Sequence, residues 1–130
     1  MFQNRLMRPG ISRCNNSFER IRRMSVITLS DLDAVSKFIQ VNSKCCIYYT
    51  ADWCGPCQAI KPVYKDLAAA YTGNVALGMV NVDDNPSAAA EAKVSSIPTF
   101  TLYNHHHPFQ TFSGADPNKL RESLSVLAAK

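Results

Sequence analysis

The chain has 130 residues, 46% of them hydrophobic, enough for one compact domain with a single core. Five cysteines are too few and too irregularly spaced for a small secreted disulfide scaffold. The net charge of +4 is uneven: residues 1–24 carry six arginines against one glutamate, while the rest, with eight basic and nine acidic side chains, is nearly neutral, so the charge makes no case for a nucleic-acid-binding domain.

Residues 1–24 read as a disordered targeting segment. Arg5, Arg8, Arg13, Arg20, Arg22 and Arg23 are accompanied by Ser12 and Ser17, and Glu19 is the one acid. Phe2 with Leu6, and Phe18 with Ile21, give short apolar faces on either side of Pro9-Gly10. This composition fits a mitochondrial presequence and a matrix destination. The alternative is a basic tail retained on a cytoplasmic protein. A secretory signal is disfavoured because no apolar run in the segment exceeds two residues. No stretch of the chain is long enough to span a membrane. Cys14 would leave with the segment.

The folded domain is expected from Ser25. Ser25 to Leu29 alternates as a short strand. Ser30 is expected to cap a helix through about Val41, with Asp31 and Asp33 in its first turn and Leu32, Val35, Phe38 and Ile39 on its apolar face. Cys45 to Thr50 is β-branched, aromatic and apolar, and reads as a buried strand. Consecutive residues on a strand face opposite ways, so Cys45 and Cys46 are expected to be small buried hydrophobes on opposite sides of a sheet.

Cys54-Gly55-Pro56-Cys57 follows that strand. Ile60, Val63, Tyr64, Leu67, Ala68 and Tyr71 then repeat at helical spacing. The two thiols therefore sit where a strand ends and a helix begins, the setting in which a C-x-x-C is redox-active rather than metal-binding. Unpaired N–H groups and the positive dipole end at a helix N-terminus stabilise an anion. Cys54, at the mouth of the helix, is expected to have a pKa below about 8.5 and to attack; Cys57, one turn inside, is expected to be more buried and to resolve the mixed disulfide. Pro56 fits the first turn, and Gly55 allows close approach of another chain. A zinc site would need two further ligands, and no second C-x-x-C exists.

Pro62 removes the donor to the Gln58 carbonyl and is expected to kink the helix. Thr72-Gly73-Asn74 stops it. Val75 to Val82 reads as a central strand, covered on both faces. Asn85 and Pro86 open a short helix as cap and first residue. Ser95 to Thr99 is a loop into a strand, Phe100 to Tyr103. A hairpin around His105-His106 leads to Phe109 to Ser113, and Gly114-Ala115-Asp116-Pro117 leads into a last helix burying Leu120, Leu124 and Leu127. The fold class is α/β, a central mixed β-sheet flanked by helices on both faces. The His105–His107 run reads as a solvated turn rather than a metal site, since adjacent residues in a tight turn point apart.

Over Ser25 to Lys130 the chain resembles a thioredoxin. The matching pieces are Ala51-Asp52-Trp53-Cys54-Gly55-Pro56-Cys57, Pro62, Asn81-Val82-Asp83, Ile97-Pro98-Thr99 and Gly114. The resemblance implies a thioredoxin fold for residues 25–130 and protein-disulfide reduction, with disulfide-containing protein substrates and electrons from a thioredoxin reductase. No cofactor, metal, nucleic acid or membrane partner is expected. It makes Trp53 the flanking tryptophan and Pro98 a cis-proline facing the cysteines. Trp53, Gly55, Pro56, Ile97, Pro98 and Gly114 then form the surface that grips an extended substrate segment. The chain is expected to be a monomer, or a weak homodimer through the surface around Trp53.

Two departures from the family bear on mechanism. Most thioredoxins carry a buried Asp six residues before the first cysteine and a Lys paired with it on the neighbouring strand. Here these positions are Tyr48 and Met79. Losing both partners is physically coherent, since losing one would strand a buried charge at a cost of about 3–5 kcal/mol. A phenol with a pKa near 10 is no base at neutral pH, so resolution by Cys57 is expected to be slow and Tyr48→Asp to speed it. This leaves a second reading, a docking or trapping module that holds mixed disulfides. A more oxidising isomerase is a third, disfavoured because Gly55-Pro56 resembles the reducing members.

Overall fold

The computed structural model describes residues 26–130, so the expectations for residues 1–24, including Cys14, lie outside the described residues. β1 (Ile27–Thr28), α1 (Leu32–Val41), β2 (Lys44–Thr50), α2 (Gly55–Ala70), β3 (Ala76–Asn81), α3 (Pro86–Glu91), β4 (Thr99–Asn104), β5 (His107–Ser113) and α4 (Pro117–Ala128) follow in that order. One five-stranded sheet runs β1-β3-β2-β4-β5 among them. β1, β3 and β2 are parallel; β4 and β5 join antiparallel. This is the mixed α/β sheet that the sequence implied.

Alternation along β2 divides the core in two. Cys46 and Tyr48 pack with Cys57, Ile60 and Tyr64 of α2 and with Leu120, Leu124 and Leu127 of α4. Cys45, Ile47 and Tyr49 point the other way, to Val35 and Phe38 of α1 and Ala88 of α3. Every residue from Cys45 to Thr50 is buried, as a strand covered on both faces requires. Burial alone pushes the Cys45 thiol up to about 12; Cys46 is likewise pushed up to about 12, mainly by burial. Both are therefore protonated and inert near neutral pH.

The helix starts carry capping chemistry, with one correction. α1 is capped by Asp31, whose carboxylate accepts from the Ala34 N–H at 2.7 Å, and Ser30 lies outside the helix. An anion three residues before that N–H satisfies the donor and meets the positive end of the dipole, which a hydroxyl one residue earlier cannot reach. Asn85 and Asp116 cap α3 and α4. Pro62 sits inside α2, which continues through it.

Gly78 of β3 is where the sheet and α1 come closest. A Cβ there would meet Leu29 Cδ1 and Phe38 Cε2, both at 3.0 Å. The two outer strands are modest: β1 has two residues, and β5 carries Pro108 beside an irregularity at Leu102/Tyr103 of β4.

Candidate active site

β2 delivers the chain to the middle of one edge of the sheet's end, and Ala51, Asp52 and Trp53 turn it into α2. Cys54 is the N-cap: its backbone is extended, and its sulfur accepts from the Cys57 N–H at 3.2 Å. Cys54 and Cys57 are joined in a disulfide, with Cα atoms 5.2 Å apart. The turn is fastened by Cys54 N–H donating to Ala51 O at 3.2 Å and by the Gln58 amide donating to the same oxygen at 3.0 Å. An N–H aimed at Cys54 Sγ, at the positive end of a helix, is what a thiolate at that sulfur needs. Cys54 keeps 5% of its surface exposed and Cys57 none, so an incoming sulfur meets Cys54 first. Gly55 and Pro56 lie exposed between them.

The opposing wall comes from the loop before β4. The Ile97–Pro98 bond is cis, and Ile97 O lies 3.9 Å from Cys54 Sγ. Gly114, at φ +107° where a side chain would be strained, donates its N–H to Pro98 O at 2.9 Å. Thr99 ties the loop down: its hydroxyl donates to Ser96 O and lies 2.8 Å from Ser113 Oγ.

Trp53 is 70% exposed, yet its indole is held by a 2.8 Å bond to Asp83 Oδ2. Asp83 is set in turn by its own N–H donating to Asn81 Oδ1 at 2.9 Å. Trp53, Val82, Ala89, Val94 and Ile97 line a largely apolar groove of about 410 Å³. The fold thus gathers Trp53, Cys54, Ile97, Pro98 and Gly114, residues up to 61 positions apart, at one end of the sheet.

The thioredoxin family model matches residues 25–126. The chain belongs to the thioredoxin family. A thioredoxin of Staphylococcus aureus is 35% identical over 110 residues, which cover 82% of this chain and 98% of that protein. The crystal structure of oxidised mitochondrial thioredoxin 3 from Saccharomyces cerevisiae matches with a TM-score of 0.75 and 31% identity, covering 78% of this chain and 95% of that one. The thioredoxin of Fasciola hepatica matches with a TM-score of 0.75 and 32% identity, over 78% and 99% of the two chains. The Cys54–Cys57 couple is a thioredoxin-type thiol–disulfide oxidoreductase site, and its chemistry is dithiol–disulfide exchange.

Within this thioredoxin site the two unusual positions meet. Tyr48 and Met79 are partners in the β2–β3 register and belong to the same apolar cluster. Tyr48 is fully buried, stacked on Phe100 at 5.1 Å and tilted against Tyr64 at 4.9 Å. Its hydroxyl donates to the carbonyl of Cys57. Burial raises its phenol pKa, the nearby Thr50 hydroxyl opposing this in part, so it takes no proton at neutral pH. An aspartate at position 48 would face Met79 rather than a cation.

Sequence reasoning gave no role to Gln58 or Asp83. Asp83 had a signal, an Asn two residues before it able to form an Asx turn, but its bond to Trp53 spans thirty residues. In the histidine turn, His105 and His106 adopt φ of 51° and 74°, and His106 Nδ1 lies 2.9 Å from Ile39 O. Among the described residues no three His, Cys, Asp or Glu side chains converge as a metal site would need, and no helix is long and apolar enough to cross a membrane.

Proposed function

We propose that this thioredoxin is a general protein-disulfide reductase of the mitochondrial matrix, recharged by a thioredoxin reductase. Cys54 attacks a substrate disulfide, and Cys57 resolves the mixed disulfide. The substrate disulfide gains two electrons and leaves as two thiols; Cys54 and Cys57 leave as the disulfide. The observation that carries this reading is the Cys54–Cys57 disulfide at the mouth of α2, with a helix N–H on the more exposed sulfur and Ile97 O beside it. The compartment is supported by the arginine-rich, acid-poor residues 1–24 and by the likeness to a mitochondrial yeast thioredoxin. Trp53, Gly55, Pro56, Ile97, Pro98 and Gly114 hold an extended substrate segment, with the apolar groove beside Trp53 taking its side chains. The protein works as a monomer or a weak homodimer.

The second reading, a module that traps mixed disulfides, is favoured by one observation: the phenol of Tyr48 and the thioether of Met79 stand where a base could assist Cys57. Turnover decides between them. The full chain, supplied with a thioredoxin reductase, is expected to reduce a protein disulfide repeatedly, and Cys54→Ser is expected to abolish this. A folded, fully reduced wild type that captures substrate once and does not turn over would establish the trap instead.

A further inference from the structure

Tyr48 does more than fill the core. It stands on β2, and Cys57 stands on the first turn of α2. The hydrogen bond from the Tyr48 hydroxyl to the Cys57 carbonyl joins sheet to helix beneath the site and is buried. The ring that carries the hydroxyl is clamped by Phe100 and Tyr64, so the donor is fixed in place. Thr50, two residues along the same face of β2, is also buried. No Asp or Glu is buried among the described residues. The ground behind the resolving cysteine therefore carries hydroxyls and no carboxylate.

We propose that Tyr48 is a positioning residue for the second half of the exchange. This rests on the dithiol–disulfide reading given above. In the mixed disulfide, Cys54 Sγ is bonded to the substrate sulfur. Cys57 Sγ forms a bond to Cys54 Sγ, the bond from Cys54 to the substrate breaks, and the substrate sulfur leaves with the electron pair. The proton of the Cys57 thiol ends on that leaving sulfur, so the step balances without a protein base. Its rate then depends on how well Cys57 Sγ is aimed at Cys54 Sγ, because displacement needs the reacting atoms aligned at about 3–3.5 Å. The carbonyl anchored by Tyr48 belongs to the residue that carries the attacking sulfur. The first attack, by Cys54 on substrate, uses the N-cap and the Cys57 N–H and does not involve this bond.

Tyr48→Phe keeps the ring and its stacking and removes only the donor. The test uses the full chain with Cys14→Ser, so that no thiol outside the domain competes. Two rates are measured. The first is alkylation of Cys54 in the reduced protein. The second is release of an aromatic thiol from a mixed disulfide preformed on Cys54, as Cys57 closes the ring. Tyr48→Phe is expected to slow the release roughly three- to tenfold, the worth of one hydrogen bond, and to leave Cys54 alkylation within about twofold. A packing role alone would slow both rates together, and that result overturns the proposal; so does an unchanged release rate. Failure of Cys54 to form a mixed disulfide at all would sink the exchange reading and this inference with it.

Discussion

Tyr48→Asp asks what the core of this thioredoxin has done in place of a buried ion pair. The wild-type ring is fully buried between Phe100 and Tyr64. Removing a buried aromatic ring costs about 3–5 kcal/mol. The new carboxylate would face Met79 across the β2–β3 register. Kept charged without a partner, it adds about 3 kcal/mol. Burial raises the pKa of such an acid above its unfolded value of about 3.9. The folded state then holds the proton more tightly than the unfolded one. The charge part of the penalty is therefore absent below the unfolded pKa, grows as pH rises through the folded pKa, and then levels. The expected loss is about 4 kcal/mol near pH 4 and about 6–7 kcal/mol near pH 8, a large share of the roughly 5–15 kcal/mol that holds a domain together. Urea unfolding followed by the fluorescence of Trp53, the one tryptophan, measures both. Adding Met79→Lys is expected to return about 2 kcal/mol near pH 8 and nothing near pH 4. A loss under about 2 kcal/mol at either pH, or an equal loss at both, would refute the reasoning. Any gain in the rate of resolution has to be compared in this double variant, since the single one is expected to lose a large share of its stability near pH 8.

Two further outcomes follow from the core. Gly78→Ala places a methyl 3.0 Å from both Leu29 and Phe38, and is expected to cost about 1–3 kcal/mol of stability, read as a lower urea midpoint; an unchanged midpoint would mean that α1 yields freely. Cys45 and Cys46 have folded pKa values raised to about 12 from 9.0, so the folded state binds more protons between these values and stability falls as pH rises through that window. Near pH 10 the loss is expected to be about 1 kcal/mol per thiol relative to a Cys45→Ala/Cys46→Ala variant, and identical pH profiles would contradict the burial of both thiols.

Much of this was legible in the sequence because it is local. The alternation in Cys45–Thr50, the helical spacing after Cys57 and the Asn85-Pro86 and Asp116-Pro117 caps each depend on neighbours within a few residues. The cysteine pair and Ile97-Pro98-Thr99 were legible because their residue types are specific to this chemistry. What remained hidden depends on distance. The bond between Trp53 and Asp83, the contact of Thr99 with Ser113, and the Tyr64 hydroxyl shared between Cys46 O and Gly78 O exist only once strands are in register. The Ser30–Asp31 choice of cap failed for a smaller reason: two good capping residues stood side by side, and the frame of the helix chose between them.

The outer strands of the sheet have a bearing on how this protein meets others. A bare strand edge is a template onto which any extended chain can add, including another copy. β1 offers only two residues, and β5 carries a proline near its start, beside the irregularity in its pairing with β4. A visiting chain finds only a two-residue strand on one side and a strand with a proline near its start on the other. The short first strand and the proline and irregularity at the other flank leave the end of the sheet that carries the sulfurs as the better place for an extended chain to dock.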